Sequence, residues 1–205
     1  MRSQEFLTLW DWRRQIATLY GAIRAANDPQ AGWAQWRATR DSLFASHSQS
    51  PLEQADRAAF AGLPCFAYDP ALRFHAALTP VRDAPDITLP VGADGDILLQ
   101  PFARTDGLRR AIGGELTLFW IGGYGGGVFL PFADATSGAE TYGAGRYLLD
   151  TIKGADLGSN GQGRIVLDFN FAYFPSCAYS PRYVCPLAPA ENRLPQPVRA
   201  GERLK

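Results

Sequence analysis

The sequence has no surplus of charge, no long apolar run and few side chains that titrate near neutral pH. Lys and Arg together number 20, as do Asp and Glu, so the formal net charge is zero. A nucleic-acid binder generally needs a basic stripe to displace phosphate counterions. With no such surplus here, nucleic acid is not an expected partner. No segment approaches the roughly 18 consecutive apolar residues that span a bilayer, so no membrane partner is expected. The opening stretch, MRSQEFLTLWDWRRQ, places Asp11, Arg13 and Arg14 where a secretion signal would be apolar, and no small-residue cleavage site follows. The expected location is the cytoplasm, where cysteines stay reduced.

The scarcity of histidine and cysteine narrows the chemistry. There are only two histidines, His47 and His75, and three cysteines, Cys65, Cys177 and Cys185. Structural zinc generally uses cysteine pairs about two to four residues apart and four ligands in all. Cys177 and Cys185 are too widely spaced for such a pair, and no metal site is expected. A disulfide between them is feasible in geometry but disfavoured in a reducing compartment, so buried thiols are the default. Neither histidine is tied by sequence to a cysteine as a base for a thiolate nucleophile. No G-x-S-x-G elbow is present. The run from Gly122 to Gly127 lacks the GK[ST] ending of a phosphate loop and reads as a hairpin turn with Tyr124 at its tip.

Against these absences stands an ordinary globular composition, 46% hydrophobic and 20% charged. At 205 residues the chain is long enough for a sizeable core. Residues 5–26 carry Leu9, Ile16, Leu19, Tyr20 and Ile23 near one helical face. Asp28 then caps a second helix that starts at Pro29 and carries Trp33, Trp36, Leu43 and Phe44. Ser50-Pro51-Leu52-Glu53 reads as a capping box opening a third helix that ends near Phe60. From Cys65 the pattern changes to short, β-rich runs: Leu72–Leu78, Asp86–Val91, Asp96–Phe102, Glu115–Ile121, Gly127–Phe132 and Arg164–Phe171. Ala93-Asp94-Gly95 supplies a turn signal between two of them. No helices alternate with these strands, which disfavours a parallel sheet.

The fold class is therefore α+β. N-terminal helices (residues 1–62) precede an antiparallel sandwich or barrel-like core (residues 63–205), and a Pro-rich tail packs on that core as part of one compact unit.

Two segments concentrate polar groups among aromatics. Asp134-Ala135-Thr136-Ser137-Gly138 reads as a turn, and Arg146 follows it. The Arg146 guanidinium is a fixed fork suited to a carboxylate or phosphate. It either pairs internally with Asp168 or Glu191 or grips an anionic ligand. The second segment, DFNFAYFPSCAYSPRYVCPLAPAENRLP, sets Asp168, Asn170, Glu191, Asn192 and Arg193 among tyrosines, cysteines and prolines.

Three blocks, FADATSGAETYGAGRYL, GRIVLDFNFAYFPSCAYSP and CPLAPAENRLPQPVRAGE, resemble in order and spacing the family catalogued as domain of unknown function 1684. WRATRDSLFASHSQSPL is similar to the family's N-terminal helical motif. The resemblance places Asp134, Thr136, Tyr142, Gly145, Arg146, Asp168, Asn170, Tyr173, Cys177, Tyr179, Cys185, Asn192, Arg193 and Glu202 on motif positions. It implies no activity. The chain departs from the pattern at Phe171, where a basic residue is expected, at Phe174 in place of Asn, and at Ser176 in place of a second Pro.

The leading functional expectation is a small-molecule-binding β-domain. Arg146, Asp168, Asn170, Asn192 and Arg193 would supply polar anchors, with Tyr142, Tyr173 and Tyr179 as aromatic walls. One alternative is a hydrolase- or isomerase-type enzyme using Asp168 or Glu191 as base, or Cys177 as nucleophile. Another is an interaction module whose Trp10, Trp12, Trp33 and Trp36 meet a partner or a second copy. Nothing in the sequence selects a cofactor.

Overall fold

The computed structural model describes residues 2–90 and 95–205. Helix α1 (Arg2–Ala25) and helix α2 (Pro29–Ser46) form a hairpin. The turn between them is built as expected: the Asp28 side chain accepts from the Gln30 N–H, and Pro29 takes the first helical position. The third helix is only the single turn α3 (Gln54–Arg57), and the expected capping box does not form. Ser50 Oγ instead donates to the Phe44 carbonyl, which closes the end of α2. Glu53 accepts from Ser180 Oγ in the distant tail.

Seven strands follow among the described residues: β1 (Arg73–Pro80), β2 (Ile87–Pro90), β3 (Asp96–Asp106), β4 (Thr117–Ile121), β5 (Gly127–Phe132), β6 (Arg146–Asp150) and β7 (Ile165–Asp168), with the single turn α4 (Arg109–Ile112) between β3 and β4. The sheet order is β6-β5-β4-β3-β1-β7, with β2 on β3, and every pairing is antiparallel. The Gly122–Gly127 run is the hairpin between β4 and β5. The Ala93-Asp94-Gly95 turn expected between β2 and β3 lies largely outside the described residues. Bulges at Pro101/Ala103 and Leu130/Pro131 add bend, and the sheet curls nearly into a barrel. The two ends of the sheet, β6 and β7, do not pair. The segment just after β7 closes the gap, where Tyr147 and Tyr173 exchange backbone hydrogen bonds of 2.9 and 3.1 Å.

The barrel is filled by Leu116, Leu118, Leu130, Phe132, Leu167 and Phe169, all essentially inaccessible to solvent. Phe169 meets Phe132 and Phe74 edge-on, with ring centroids 5.1 and 5.9 Å apart. A second cluster welds the helices to the outside of the barrel through Ile16, Leu19, Ile23, Trp36, Val166 and Phe171. Phe171, where the resemblance implies a basic residue, packs edge-on against Trp36 at 5.5 Å. The N-terminal tryptophans divide: Trp36 is buried, Trp12 and Trp33 are half-buried, and Trp10 is exposed.

The tail crosses the barrel with only two single 3-10 turns, Ser176–Ala178 and Ala190–Asn192, and its backbone is tied down by named bonds. Leu194 N–H donates to Ala133 O, Glu202 N–H to Ala172 O, Phe66 N–H to Gly201 O and Arg203 N–H to Pro64 O. No helix among the described residues is long and apolar enough to cross a membrane.

Candidate functional site

The polar residues singled out in the sequence form three separate groups, each engaged with protein. Arg146 is buried at the start of β6. Its Nη2 meets Asp134 Oδ2 at 2.5 Å and Val198 O at 2.8 Å, while Nη1 donates to Ala200 O and Glu202 O. The partner is thus Asp134, not Asp168 or Glu191. Asp134 sits twelve positions earlier, in the turn leaving β5, and antiparallel pairing of β5 with β6 brings the two side by side. Asp134 Oδ1 also accepts from the Thr136 N–H and hydroxyl, so the turn reads as expected, with Gly138 at φ 89°.

Asp168 and Asn170 form the second group at the end of β7. Asp168 Oδ1 accepts from Asn170 N and Nδ2, and Oδ2 accepts from Arg73 at 3.0 Å. Burial raises the Asp168 carboxyl above its ordinary value, with the Asn170 and Arg73 bonds working the other way. The Asn170 amide exchanges bonds of 2.9 and 2.8 Å with the backbone of Asp69. Asn192 is the third group. Its amide accepts from Thr117 N and donates to Thr117 O and Pro131 O, stitching the tail to β4 and β5. Glu191 and Arg193 beside it are exposed.

The cavity lies elsewhere, between α1, the end of α2, β6 and the tail. It encloses about 250 Å³, and the 168–195 segment supplies its outer wall through Tyr173, Phe174, Pro175, Ser176, Tyr183 and Val184. Leu9, Trp12, Ile16 and Phe44 supply the apolar inner wall. Of the eight sequence-predicted site residues, only Tyr173 lines it. A groove of about 370 Å³ between α1 and α2 is larger. Its polar residues Arg14, Gln15, Thr18 and Gln35 are exposed, as on any solvated helix face.

Arg40 is the residue that sequence reasoning missed. Its side chain is 8% exposed and lines the cavity. The guanidinium carbon sits 5.0, 5.2 and 5.0 Å from the ring centres of Trp36, Phe44 and Tyr173. Nε and Nη2 donate to Glu202 Oε1, while Glu202 Oε2 accepts from the Phe174 N–H and the Tyr179 hydroxyl. Burial opposes the Arg40 charge most strongly, the Glu202 carboxylate and smaller contributions favour it, and the net effect holds the guanidinium above its ordinary value. A signal was present in the sequence. Trp36, Arg40 and Phe44 recur every fourth residue, so the arginine stands on the buried face of α2 between two aromatics.

The cysteines meet at the far end of the wall. Tyr142 Oη donates to Cys177 Sγ at 3.7 Å. Burial, and then the neighbouring Cys185 thiol, pushes the Cys177 thiol up to about 11. Cys65 is pushed up to about 12, by burial first and then by Glu202. A nucleophilic cysteine needs the opposite shift. At about pH 8, Cys177 is expected to alkylate with iodoacetamide on the order of a hundredfold more slowly than a free peptide thiol. Peptide mapping by mass spectrometry reads the rate site by site, and a rate equal to the free thiol's would restore Cys177 as a nucleophile.

A family model described as "Protein of unknown function (DUF1684)" matches residues 58–203. The chain belongs to this family. The matched region of the DUF1684 member takes in the barrel and nearly all of the tail, including the Arg146, Asn170 and Asn192 groups, and begins after α2. The solution NMR structure of an uncharacterized protein from Haloarcula marismortui is similar at 33% identity. The match covers 83% of this chain and 91% of that one, with a TM-score of 0.56. No curated protein matches the sequence.

Proposed function

We propose that this DUF1684 protein binds a small molecule with an apolar body in the cavity between the helical hairpin and the tail. The observation that carries this reading is Arg40. A guanidinium held in an apolar setting is costly unless its donors are satisfied. Glu202 takes Nε and Nη2, whereas Nη1 has no protein partner among the described residues and is not sealed from solvent, so it is available to a ligand that enters the cavity. Apolar walls with a few fixed polar groups are the usual make-up of a ligand site. Tyr173 belongs to it directly. Tyr179 acts through Glu202, which it helps to hold. Arg146, Asn170 and Asn192 anchor the tail that forms the outer wall.

The test uses a matched pair of eight-carbon amphiphiles, octanoate and octanol, titrated calorimetrically into the purified protein. At least one of them is expected to bind. Val184→Trp, at an exposed wall position, is expected to weaken that binding at least about tenfold by filling the space. Binding by neither compound, or binding untouched by Val184→Trp, would overturn the assignment of this cavity as a ligand site.

A further inference from the structure

We infer that the cavity, if it is the ligand site proposed above, takes a small organic anion, a carboxylate on an apolar body, whose head group sits against Arg40. The charges around the cavity are lopsided. Arg13, Arg40 and Lys153 line it, and no Asp or Glu does. Two carboxylates stand behind the wall, each committed to one of those cations: Glu202 to Arg40, and Asp150 to Lys153 at 3.1 Å. Arg13 has no carboxylate partner among the described residues, which leaves a surplus of one positive charge.

The neutral polar groups also point to an acceptor-rich ligand. Tyr20 Oη accepts from Trp36 Nε1 at 3.2 Å, so its own hydrogen is free to donate. Tyr173 Oη has no hydrogen-bond partner among the described residues, and it belongs to a ring that stacks on Arg40. Burial pushes the Tyr20 phenol up to about 12 and Tyr173 well above its usual range, so both remain protonated donors. Arg40, Tyr20 and Tyr173, each with a donor not used by a described protein group, therefore line a space whose wall carries no Asp or Glu. A carboxylate has two oxygens and about four lone-pair sites to accept from such donors. An amine would meet a surplus of like charge and, as acceptors, only neutral oxygens such as those of Gln49 and Ser176. Trp12, Ile16, Phe44 and Val184 fit an aliphatic or aromatic body rather than a sugar or a phosphate-rich molecule.

The octanoate and octanol pair also decides this point. Octanoate is expected to bind at least about tenfold more tightly than octanol, since the two differ only at the head group. Tyr173→Phe removes a hydroxyl that no described protein group uses, so the fold is expected to survive. It should cut the preference for octanoate about threefold or more, by weakening octanoate more than octanol. Arg40→Lys keeps the charge but loses the fork, and it should erase most of the preference. Circular dichroism separates an unfolded Arg40→Lys sample from a folded, non-selective one. Equal binding of octanoate and octanol, or a preference unmoved by Tyr173→Phe, overturns the anion assignment while leaving the cavity a ligand site. Failure of both compounds to bind overturns the site itself.

Discussion

Glu202→Ala is expected to lower stability by about 3–5 kcal/mol, because it leaves a buried arginine without its counter-charge. The Arg40 and Glu202 side chains are 8% and 1% exposed, so solvent only weakly screens the charge left behind. The same change deprives the Phe174 N–H and the Tyr179 hydroxyl of their acceptor. Urea denaturation with an unchanged slope reads the loss as a shift of midpoint. A companion variant sharpens the test. Arg40→Met with Glu202→Leu removes both charges and keeps much of the volume, so it should cost less than Glu202→Ala alone. A Glu202→Ala loss below about 1 kcal/mol would place the pair with solvent-screened surface bridges.

Gly201→Ala is the second large effect. Gly201 has φ 73°, in the left-handed region that favours glycine. A β-carbon there would lie 2.4 Å from Ala172 O and 2.9 Å from Phe169 O. Both obstacles are backbone, so no side-chain rotation relieves them. Left-handed strain and overpacking each cost about 1–3 kcal/mol, and the expected total is about 3 kcal/mol or more. The damage should be local as well as global. Gly201 O accepts from Phe66 N–H, and Glu202 N–H donates to Ala172 O. Hydrogen exchange at these amides should accelerate beyond what the global loss explains. Wild-type exchange in the variant would show that the tail can shift aside at no cost.

The elements that were legible in the sequence are those whose local signals and tertiary packing agree. Helices α1 and α2 were marked by spacing and by the Asp28-Pro29 cap, and the core is the antiparallel, barrel-like one that strands without intervening helices imply. Strand β6 was hidden because all five of its residues, Arg146–Asp150, are buried, which removes the alternation that marks a half-exposed strand. Its leading arginine reads in the sequence only as following the Asp134–Gly138 turn, not as opening a strand. The capping box failed because Ser50 and Glu53 found better partners in Phe44 O and Ser180, and a single helical turn does not outweigh them.

The polar motif residues were rightly flagged as unusual for their apolar surroundings, but spacing alone cannot say whether such a group meets a ligand or the backbone. Arg146, Asn170 and Asn192 satisfy carbonyls and amides that an irregular tail would otherwise leave unpaired. The cavity arginine came from the helical region, where a long side chain on an apolar face carries no local sign of what its head group meets.

The Arg40–Glu202 pair joins residues 162 positions apart. Closing so long a loop carries an entropic penalty before the contact contributes anything. The pair is therefore expected to form on the late side of the folding barrier, once the tail reaches the assembled barrel. Kinetically, the Glu202→Ala loss should appear in the unfolding limb of the chevron and scarcely in the folding limb. The tail then acts as a latch on the rate of opening, and the lifetime of the folded molecule, more than the speed of its formation, depends on one carboxylate.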